Sequence, residues 1–308
     1  MQPIDILVAG EINPDLILSG DVEPAFGQVE KLVDASTLTI GSSSAIFACG
    51  AARLGVKVAF VGVCGKDVWG TFMLEEMSKR GVDISNVIST PTCQTGLSVI
   101  LARGTDRAIL TYTGATTTLK AVQVTDGLLQ KARHLHVGSY FLQTALQPGL
   151  ADLFRRAHAL NLTTSLDTNW DPSGQWGDLD EILRQTDIFL PNENEALAIT
   201  GTRTVDKAVK QIKDICNIMV VKRGAKGALA SQGEKSVRLS PIKVDLVDTI
   251  GAGDSFDAGF LYGFLKGWKL EESLRLAIVC GSLSTRAAGG TDAQPTLSEA
   301  MQYVHVPG

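Results

Sequence analysis

No apolar stretch of this chain reaches the length needed to cross a bilayer, and Arg53 and Lys57 break the best candidate. The opening Met1-Gln2-Pro3-Ile4-Asp5 lacks a basic segment, so no secretory leader is expected and a cytoplasmic location is read. Cysteine is sparse: Cys49, Cys64, Cys93, Cys216 and Cys280 are odd in number, scattered and without metal-ligand spacing. That pattern argues against a disulfide framework or a zinc cluster and fits reduced, mostly buried thiols. Positive charge is in deficit, 28 Lys and Arg against 33 Asp and Glu, for a net charge of −5 and a pI near 5.4. Neither nucleic acid nor an anionic membrane would be attracted to such a surface. The Gly-x-x-x-x-Gly-Lys-Ser/Thr loop and the protein-kinase glycine loop are both missing, so any nucleotide must be cradled in another way. Repeats, low-complexity tracts and interdomain linkers are absent as well.

What remains is ordinary for a globular enzyme: 308 residues, 44% hydrophobic and 20% charged, with ample chain for a buried core. The most telling run is Gly251-Ala252-Gly253-Asp254, introduced by Asp248-Thr249-Ile250 and followed by Ser255-Phe256-Asp257-Ala258-Gly259-Phe260. Lys243 to Val247 reads as a short strand before it. Phe256, Phe260 and Phe264, with Leu261 and Leu265 beside them, recur at the spacing of one helix face. Asp254 therefore falls where a helix begins. There the first N–H groups lack partners and the peptide dipoles add positive charge, so an anion is favoured. Glycines let the backbone close around that anion. By itself a Gly-x-Gly-Asp is as well explained by an aspartate capping a helix.

The longer string Asp-Thr-Ile-Gly-Ala-Gly-Asp-Ser-Phe-Asp-Ala-Gly-Phe, residues 248 to 260, closely resembles the C-terminal signature of the ribokinase-like (PfkB) carbohydrate kinases. The resemblance implies that Asp254 is the catalytic base and that the amides of Ala252, Gly253 and Asp254, after Gly251, form an anion hole. Gly10-Glu11-Ile12-Asn13-Pro14-Asp15, after the apolar strand Ile4 to Ala9, resembles the family's first sugar-contacting turn and gives Asn13 and Asp15 the substrate hydroxyls. Gly41-Ser42-Ser43-Ser44-Ala45, leading into Ala48 to Gly55, is similar to the N-terminal signature, with Gly41 and Ser42 at the sugar and Gly55 as a helix stop. Gly62 to Gly70 is again family-like, so the similarity covers essentially the whole chain.

For the donor, the resemblance implies ATP and Mg²⁺. Lys222-Arg223-Gly224-Ala225-Lys226-Gly227 looks like the family's nucleotide contact, with Lys222, Gly224 and Gly227 at the phosphates. Without the resemblance it reads equally as a hairpin turn. Pro191-Asn192-Glu193-Asn194-Glu195 resembles the Asn-x-x-Glu motif, in which Asn192 and Glu195 organise Mg²⁺ through water. An acid-rich helix start is the plainer reading of the same residues. Asp248, the backbone at Ile250 and residues around Ala287 to Gly290 are implied to surround a monovalent cation such as K⁺.

Chain order supports an α/β fold with a central, mostly parallel sheet flanked by helices, and the resemblance implies that the fold is ribokinase-like with a small β-sheet lid. Strand-like runs at His134–Gly138, Leu162–Asp167, Asp187–Leu190 and Asn217–Lys222 alternate with helical stretches at Leu150–Leu160, Ala196–Thr200 and Thr204–Ile215. Ligands in such folds gather at the carboxyl ends of the strands, where each motif falls. Ile17–Thr39 and Thr95–Tyr112 break the rhythm and read as strands of a separate sheet, with Gly104-Thr105-Asp106-Arg107 as a turn. The resulting division is 1–12, 41–94 and 113–308 for the catalytic part and 13–40 with 95–112 for a discontinuous lid. An edge of that lid sheet offers a surface for a homodimer, as in family dimers. His134-Leu135-His136 reads as alternation on a strand.

Two departures bear on substrate. Ribokinases have paired glycines and, five positions on, a sugar-binding asparagine, where this chain has Gly41-Ser42 and Ile46. An isoleucine cannot hydrogen-bond, so ribose is disfavoured. Asp167-Thr168-Asn169-Trp170-Asp171 resembles the Asp-x-Asn-x-Arg of some sugar-acid kinases, but Asp171 replaces the arginine, which weakens a carboxylated sugar. Arg103 and Arg107 in the lid remain candidates for an anionic substrate. The expected activity is ATP-dependent phosphorylation of a hydroxyl on a sugar-like small molecule. A nucleoside is a second reading, with Ile46, Tyr140 and Phe141 facing a base, and a non-catalytic sugar-binding regulator is a third. A phosphatase or other hydrolase, which would need a nucleophile or metal cluster that the sequence does not display, is a fourth.

Overall fold

A computed structural model describes residues 4–104, 106–177 and 179–304. The parts of the sequence division that include Met1 to Pro3, Thr105, Asp178 or 305–308 lie outside the described residues. Fourteen strands and ten α-helices are present among those described. The chain runs β1 (Ile4–Ala9), β2 (Pro14–Ser19), β3 (Ala35–Ile40), α1 (Ser43–Arg53), β4 (Val58–Val61), β5 (Val63–Gly65), α2 (Val68–Lys79) and β6 (Ile88–Thr90). It continues through β7 (Leu97–Arg103), β8 (Asp106–Tyr112), α3 (Asp126–Leu129), β9 (Ala132–Val137), α4 (Gln147–Ala159), β10 (Thr163–Leu166), α5 (Asp180–Leu183), β11 (Ile188–Phe189) and α6 (Glu193–Thr200). The last elements are α7 (Val205–Ile212), β12 (Ile218–Lys222), β13 (Ala228–Gln232), β14 (Lys235–Leu239), α8 (Ala252–Leu265), α9 (Leu270–Ser284) and α10 (Leu297–Val304).

Eight strands form one sheet in the order β14-β13-β12-β11-β10-β9-β1-β4. The pairs from β4 to β12 are parallel, and β13 is antiparallel to both of its neighbours. Alternation along β1 sends Ile6 and Val8 into one apolar cluster with Phe47, Phe60 and Phe260, and Leu7 and Ala9 into another with Leu135, Phe154 and Phe189. A sheet buried on both faces needs apolar side chains along its interior, as Ile6 to Ala9 of β1 and all of β4 have. Because β1 pairs with β4 on one side and with β9 on the other, the strand order reverses at β1, and the crevice above its carboxyl end is the ligand position in such sheets.

A second sheet has the order β3-β2-β7-β8. Its period-2 pattern aims Asp15, Ser98, Ile100, Ile109 and Thr111 at the crevice, with Ser98 opposite Thr111 and Ile100 opposite Ile109. The strands expected within Ile17–Thr39 and Thr95–Tyr112 are these four, the first beginning at Pro14.

One expected strand is not formed. Lys243–Val247 is irregular. Its end bonds to a helix rather than a sheet, since Val247 and Asp248 N–H donate to the Thr285 carbonyl at 2.9 and 3.1 Å, and Leu246 and Val247 stay exposed. Strand propensity there found no edge to pair with. No helix of the described residues is long and apolar enough to cross a membrane.

Candidate active site

A cavity of about 850 Å³ lies between the smaller sheet and the carboxyl ends of β1, β10 and β12. Asn13, Asp15, Ser42, Arg107, Asn192, Glu195, Lys222, Gly224, Ile250, Gly251, Gly253 and Asp254 all line it, so residues spread over most of the sequence converge on one space. Gly41 and Gly227 support it from outside. A Cβ on Gly41 would lie 2.1 Å from Asp15 Oδ1, and one on Gly227 would lie 2.0 Å from the Leu239 carbonyl oxygen. The Lys222–Gly227 segment is the hairpin turn between β12 and β13, and only its first half reaches the cavity.

Gly251 is the N-cap of α8, and Ala252, Gly253 and Asp254 are its first turn, which leaves their N–H groups without helical partners. The two glycines differ in need. Gly251 has φ +68°, and an added Cβ would meet the Gly290 backbone at 2.7 Å and Ile46 Cγ2 at 2.9 Å. A Cβ on Gly253 would touch nothing closer than Lys222 Nζ at 3.6 Å. Gly251→Ala is therefore expected to destabilise the protein by about 1–3 kcal/mol in chemical denaturation, whereas Gly253→Ala is expected to unfold near the wild-type midpoint.

Asp254 is buried, and its carboxyl is pushed well above the usual carboxylate range, first by desolvation and then by the field of Asp167, against the pull of Lys222. Ser43, at the start of α1, hydrogen-bonds to it. A carboxyl so raised is a stronger base than an ordinary aspartate and can match an alcohol proton better.

Beneath the turn, Lys222 Nζ donates to Asp167 Oδ2 at 2.8 Å and Asp257 Oδ2 at 3.0 Å. Burial opposes the charge on this lysine, but the surrounding carboxylates win and hold its pKa above the ordinary value. Burial likewise opposes ionisation of Asp167, yet Lys222 keeps it low, while Asp257 is driven well up by desolvation. One lysine thus serves two buried acids whose carboxyls are driven in opposite directions, Asp167 down and Asp257 up. Asp257 Oδ1 has no hydrogen-bond partner.

Asn192 N-caps α6 and forms a capping box with Glu195: the Asn192 N–H donates to Glu195 Oε2 at 2.8 Å, and the Glu195 N–H donates to Asn192 Oδ1 at 3.0 Å. Asn192 Nδ2 also bonds Glu195 Oε1. Desolvation and the Asp167 charge raise Glu195 to about 7. On the opposite wall, burial raises Asp15 to about 7 despite Arg107, and Asn13 Nδ2 donates to Ser98 Oγ at 3.2 Å. Asp248 spends one carboxylate oxygen on Ile250 N–H and the other on Gly289 N–H, each at 3.0 Å. Arg107 Nη1 stands 3.8 Å from Asp248 and donates to Thr249 Oγ1 at 3.1 Å, so β8 touches the loop before the turn. Arg103 points elsewhere and pairs with Glu23.

Several groups in this network escaped sequence reasoning. Glu11 is buried and accepts from Ser42 Oγ, Ser44 N–H and Ser44 Oγ, at 3.0, 3.2 and 2.5 Å. These bonds hold Ser42 at φ +64°, a conformation that suits the glycine of the family's pair. Asn169, at φ +53°, donates from Nδ2 to Ser43 Oγ at 2.5 Å and Ser139 Oγ at 2.9 Å. An acid followed at a distance by a serine run was the available signal for the first. Nothing local marked Asp257 as a partner of Lys222. Tyr140 and Phe141, expected against a base, line an adjoining hollow instead of the main cavity. Asp171 accepts from Ser173 N–H and Trp176 N–H at 2.8 and 2.7 Å, so it closes its own loop. His134 and His136 are buried and held neutral by desolvation, bonded to Thr163 and Ser165.

Comparison with known proteins gives this geometry a setting. The 2-dehydro-3-deoxygluconokinase of Bacillus subtilis is 31% identical over 278 residues, covering 83% of this chain and 84% of the relative. Among solved structures, ribokinase of Arabidopsis thaliana complexed with ribose and ATP superposes with a TM-score of 0.86 at 24% identity, covering 99% of this chain and 100% of that one. The fructokinase double mutant of Vibrio cholerae O395, bound to fructose, ADP and potassium ion, superposes with a TM-score of 0.84 at 22% identity, covering 99% and 100%. These likenesses show a ribokinase-like fold. The pattern of the pfkB family carbohydrate kinases matches residues 4–297, and the chain belongs to that family of sugar kinases.

Proposed function

We propose that this sugar kinase transfers the γ-phosphoryl group of ATP to a hydroxyl of a neutral, sugar-like acceptor. The observation that carries the reading is the buried Asp254 carboxyl, which shares one cavity with Asp15 and with the first turn of α8, where the Gly253 and Asp254 N–H groups have no partner within the helix. Asp15 and Asn13 hold acceptor hydroxyls, and the smaller sheet acts as the lid that excludes water. Asp254 takes the proton of the attacking hydroxyl late, when the oxygen is already bonding to phosphorus. The main-chain nitrogens of Ala252, Gly253 and Asp254 stabilise charge on the group in transit. On the donor side, Lys222 supports the turn from below, and Asn192 and Gly224 offer polar edges to the nucleotide.

Glu195 fits Mg²⁺: it is a buried oxygen donor facing the cavity, and its Asn192 bonds fix its orientation, which suits a hard ion held through water. Mg²⁺ there would neutralise phosphate charge. The Asp248 site fits K⁺ less well, because Arg107 already supplies positive charge 3.8 Å away. A neutral acceptor is favoured because Asp171 stands where a sugar acid would need a cation, and Ile46 makes one wall apolar. The outer lid face, with Leu110 and Tyr112 more than half exposed, is the surface on which a second copy would pair.

The decisive measurement is ADP release across ketoses, aldoses, sugar acids, sugar phosphates and nucleosides, with Mg²⁺ and K⁺ present. Acceptor-dependent release is expected from at least one neutral class, and its absence from all of them would overturn the reading. Titration adds a second check. Because folding raises Asp15 to about 7, the carboxylate that accepts a sugar hydroxyl is present above that pH and lost as pH falls through it. Acceptor KM is therefore expected to rise as pH drops from 8 to 6, and Asp15→Asn is expected to flatten the dependence. Glu195 is raised to the same range and Asp254 is raised as well, so the slope that Asp15→Asn removes is the part that belongs to Asp15.

A further inference from the structure

Among the acids that line the cavity, Asp15, Glu195 and Asp254 each have a part in the transfer, and Glu11 has none. It is 2% exposed. Its partners among the described residues are hydroxyl and N–H groups of Ser42 and Ser44, with no cation. A carboxylate taken out of water without a counter-ion is costly even when donors surround it, so its place calls for a use.

That use lies in the junction 41–43 between β3 and α1. Ser42, in the middle, has φ +64°, which a residue with a Cβ adopts at a cost. Its Oγ donates to the Glu11 main-chain carbonyl at 2.6 Å and to Glu11 Oε1 at 3.0 Å while accepting the Ala45 N–H at 3.1 Å, so the side chain is tied on both sides. Ser44 completes the hold, its N–H donating to Oε1 at 3.2 Å and its Oγ to Oε2 at 2.5 Å. A Cβ on Gly10 would lie 2.2 Å from Ser44 Cβ, and one on Gly138 would lie 2.9 Å from Ser44 Oγ, so Ser44 is seated closely against the ends of β1 and β9.

The neighbours of Ser42 connect this hold to the chemistry. On one side Gly41 packs against the acceptor wall, where an added Cβ would meet Asp15 Oδ1 at 2.1 Å and the Asn13 carbonyl oxygen at 2.8 Å. On the other side Ser43 hydrogen-bonds to Asp254 and receives Asn169 Nδ2 at 2.5 Å. Three consecutive residues therefore touch the acid that holds the acceptor and the acid that takes its proton.

We propose that Glu11 is a positioning residue for phosphoryl transfer: by holding Ser42 in its left-handed conformation, it sets the acceptor hydroxyl at Asp15 against the base Asp254. The inference rests on the sugar-kinase reading for the roles of Asp15 and Asp254. Both Glu11 carboxylate oxygens are taken by serines, so Glu11 acts through the junction and not on the substrate.

A double-mutant cycle with Ser42→Gly tests this, because a glycine adopts φ +64° without help. Glu11→Ala alone is expected to lower kcat ~30-fold with the KM for ATP within ~2-fold of wild type, whereas in the Ser42→Gly background the same substitution is expected to cost no more than ~3-fold in kcat. Glu11→Gln keeps the size of the side chain and one acceptor oxygen. Its smaller loss is expected to vanish in the same background, and it serves should Glu11→Ala fail to fold. An equal fall in both backgrounds would overturn the proposal, and so would a lowered Tm with unchanged kcat, which marks an acid of structural use only. ADP release by the wild type separates this idea from the kinase reading. Acceptor-dependent release with an additive cycle keeps the kinase and removes the positioning role. No release from any acceptor overturns the kinase, and the same cycle followed in Tm then decides whether Glu11 holds Ser42, equal shifts in the two backgrounds counting against it.

Discussion

Asp254→Asn is expected to lower kcat by at least ~100-fold, with little change in the KM for ATP, because the substitution keeps the shape of the first turn of α8 and removes only its proton acceptor. ADP release measured at saturating acceptor is the readout. The structure sharpens the reason. An aspartate at its usual pKa near ~4 would be a poor match for an alcohol, but burial and the Asp167 charge raise Asp254 well above that. The raised carboxyl needs a late proton transfer less stringently, and it predicts an acidic limb in the kcat profile that is absent from the asparagine variant. Turnover within a few fold of wild type would remove Asp254 from the chemistry and leave it an acid in the first turn of α8 that complements the helix dipole.

Lys222→Met is expected to give the largest loss of stability. Lys222 Nζ is the shared cation of Asp167 and Asp257, and both acids are essentially inaccessible to water. Removing one partner of a buried ion pair costs about 3–5 kcal/mol, which corresponds to a fall in Tm of roughly 5–8 °C for a chain of this size. The methionine keeps the packing of the lysine stem, so the loss reports charge and not volume. Adding Asp167→Asn to Lys222→Met is expected to restore much of the stability, since the stranded charge is then gone. A second consequence follows from the position of Lys222. It is the group that holds the Asp254 pKa down, so the acidic limb of kcat is expected to move to higher pH in Lys222→Met. Unchanged melting in the single variant would mean that water, not protein, carries those charges.

Much of the site was legible because its motifs are local. The run from Asp248 to Phe260 shows both a glycine turn and the helix that follows, and the spacing of Phe256, Phe260 and Phe264 correctly orients α8. Capping logic at Asn192 and Glu195 was readable for the same reason, since a box spans three residues. The failures are equally physical. Lys243–Val247 has strand-like residues but no neighbouring edge, and a strand without a partner does not form. That Tyr140 and Phe141 line an adjoining hollow and not the main cavity was not legible either, because a turn of the chain after β9 sets the direction of those rings and no periodicity records it.

Residue types and their short-range order decided by themselves which groups stand at strand ends and helix starts: Asn13 and Asp15 after β1, Lys222 at the end of β12, and Asp254 in the first turn of α8. Only the tertiary structure decided their chemical state. Lys222 meets acids 55 and 35 residues away, Glu11 is bonded by serines more than 30 residues on, and Arg107 reaches Thr249 across 142 residues. Desolvation and charge pairing depend on which atoms surround a group in space, and long-range contacts of that kind leave no period in the chain.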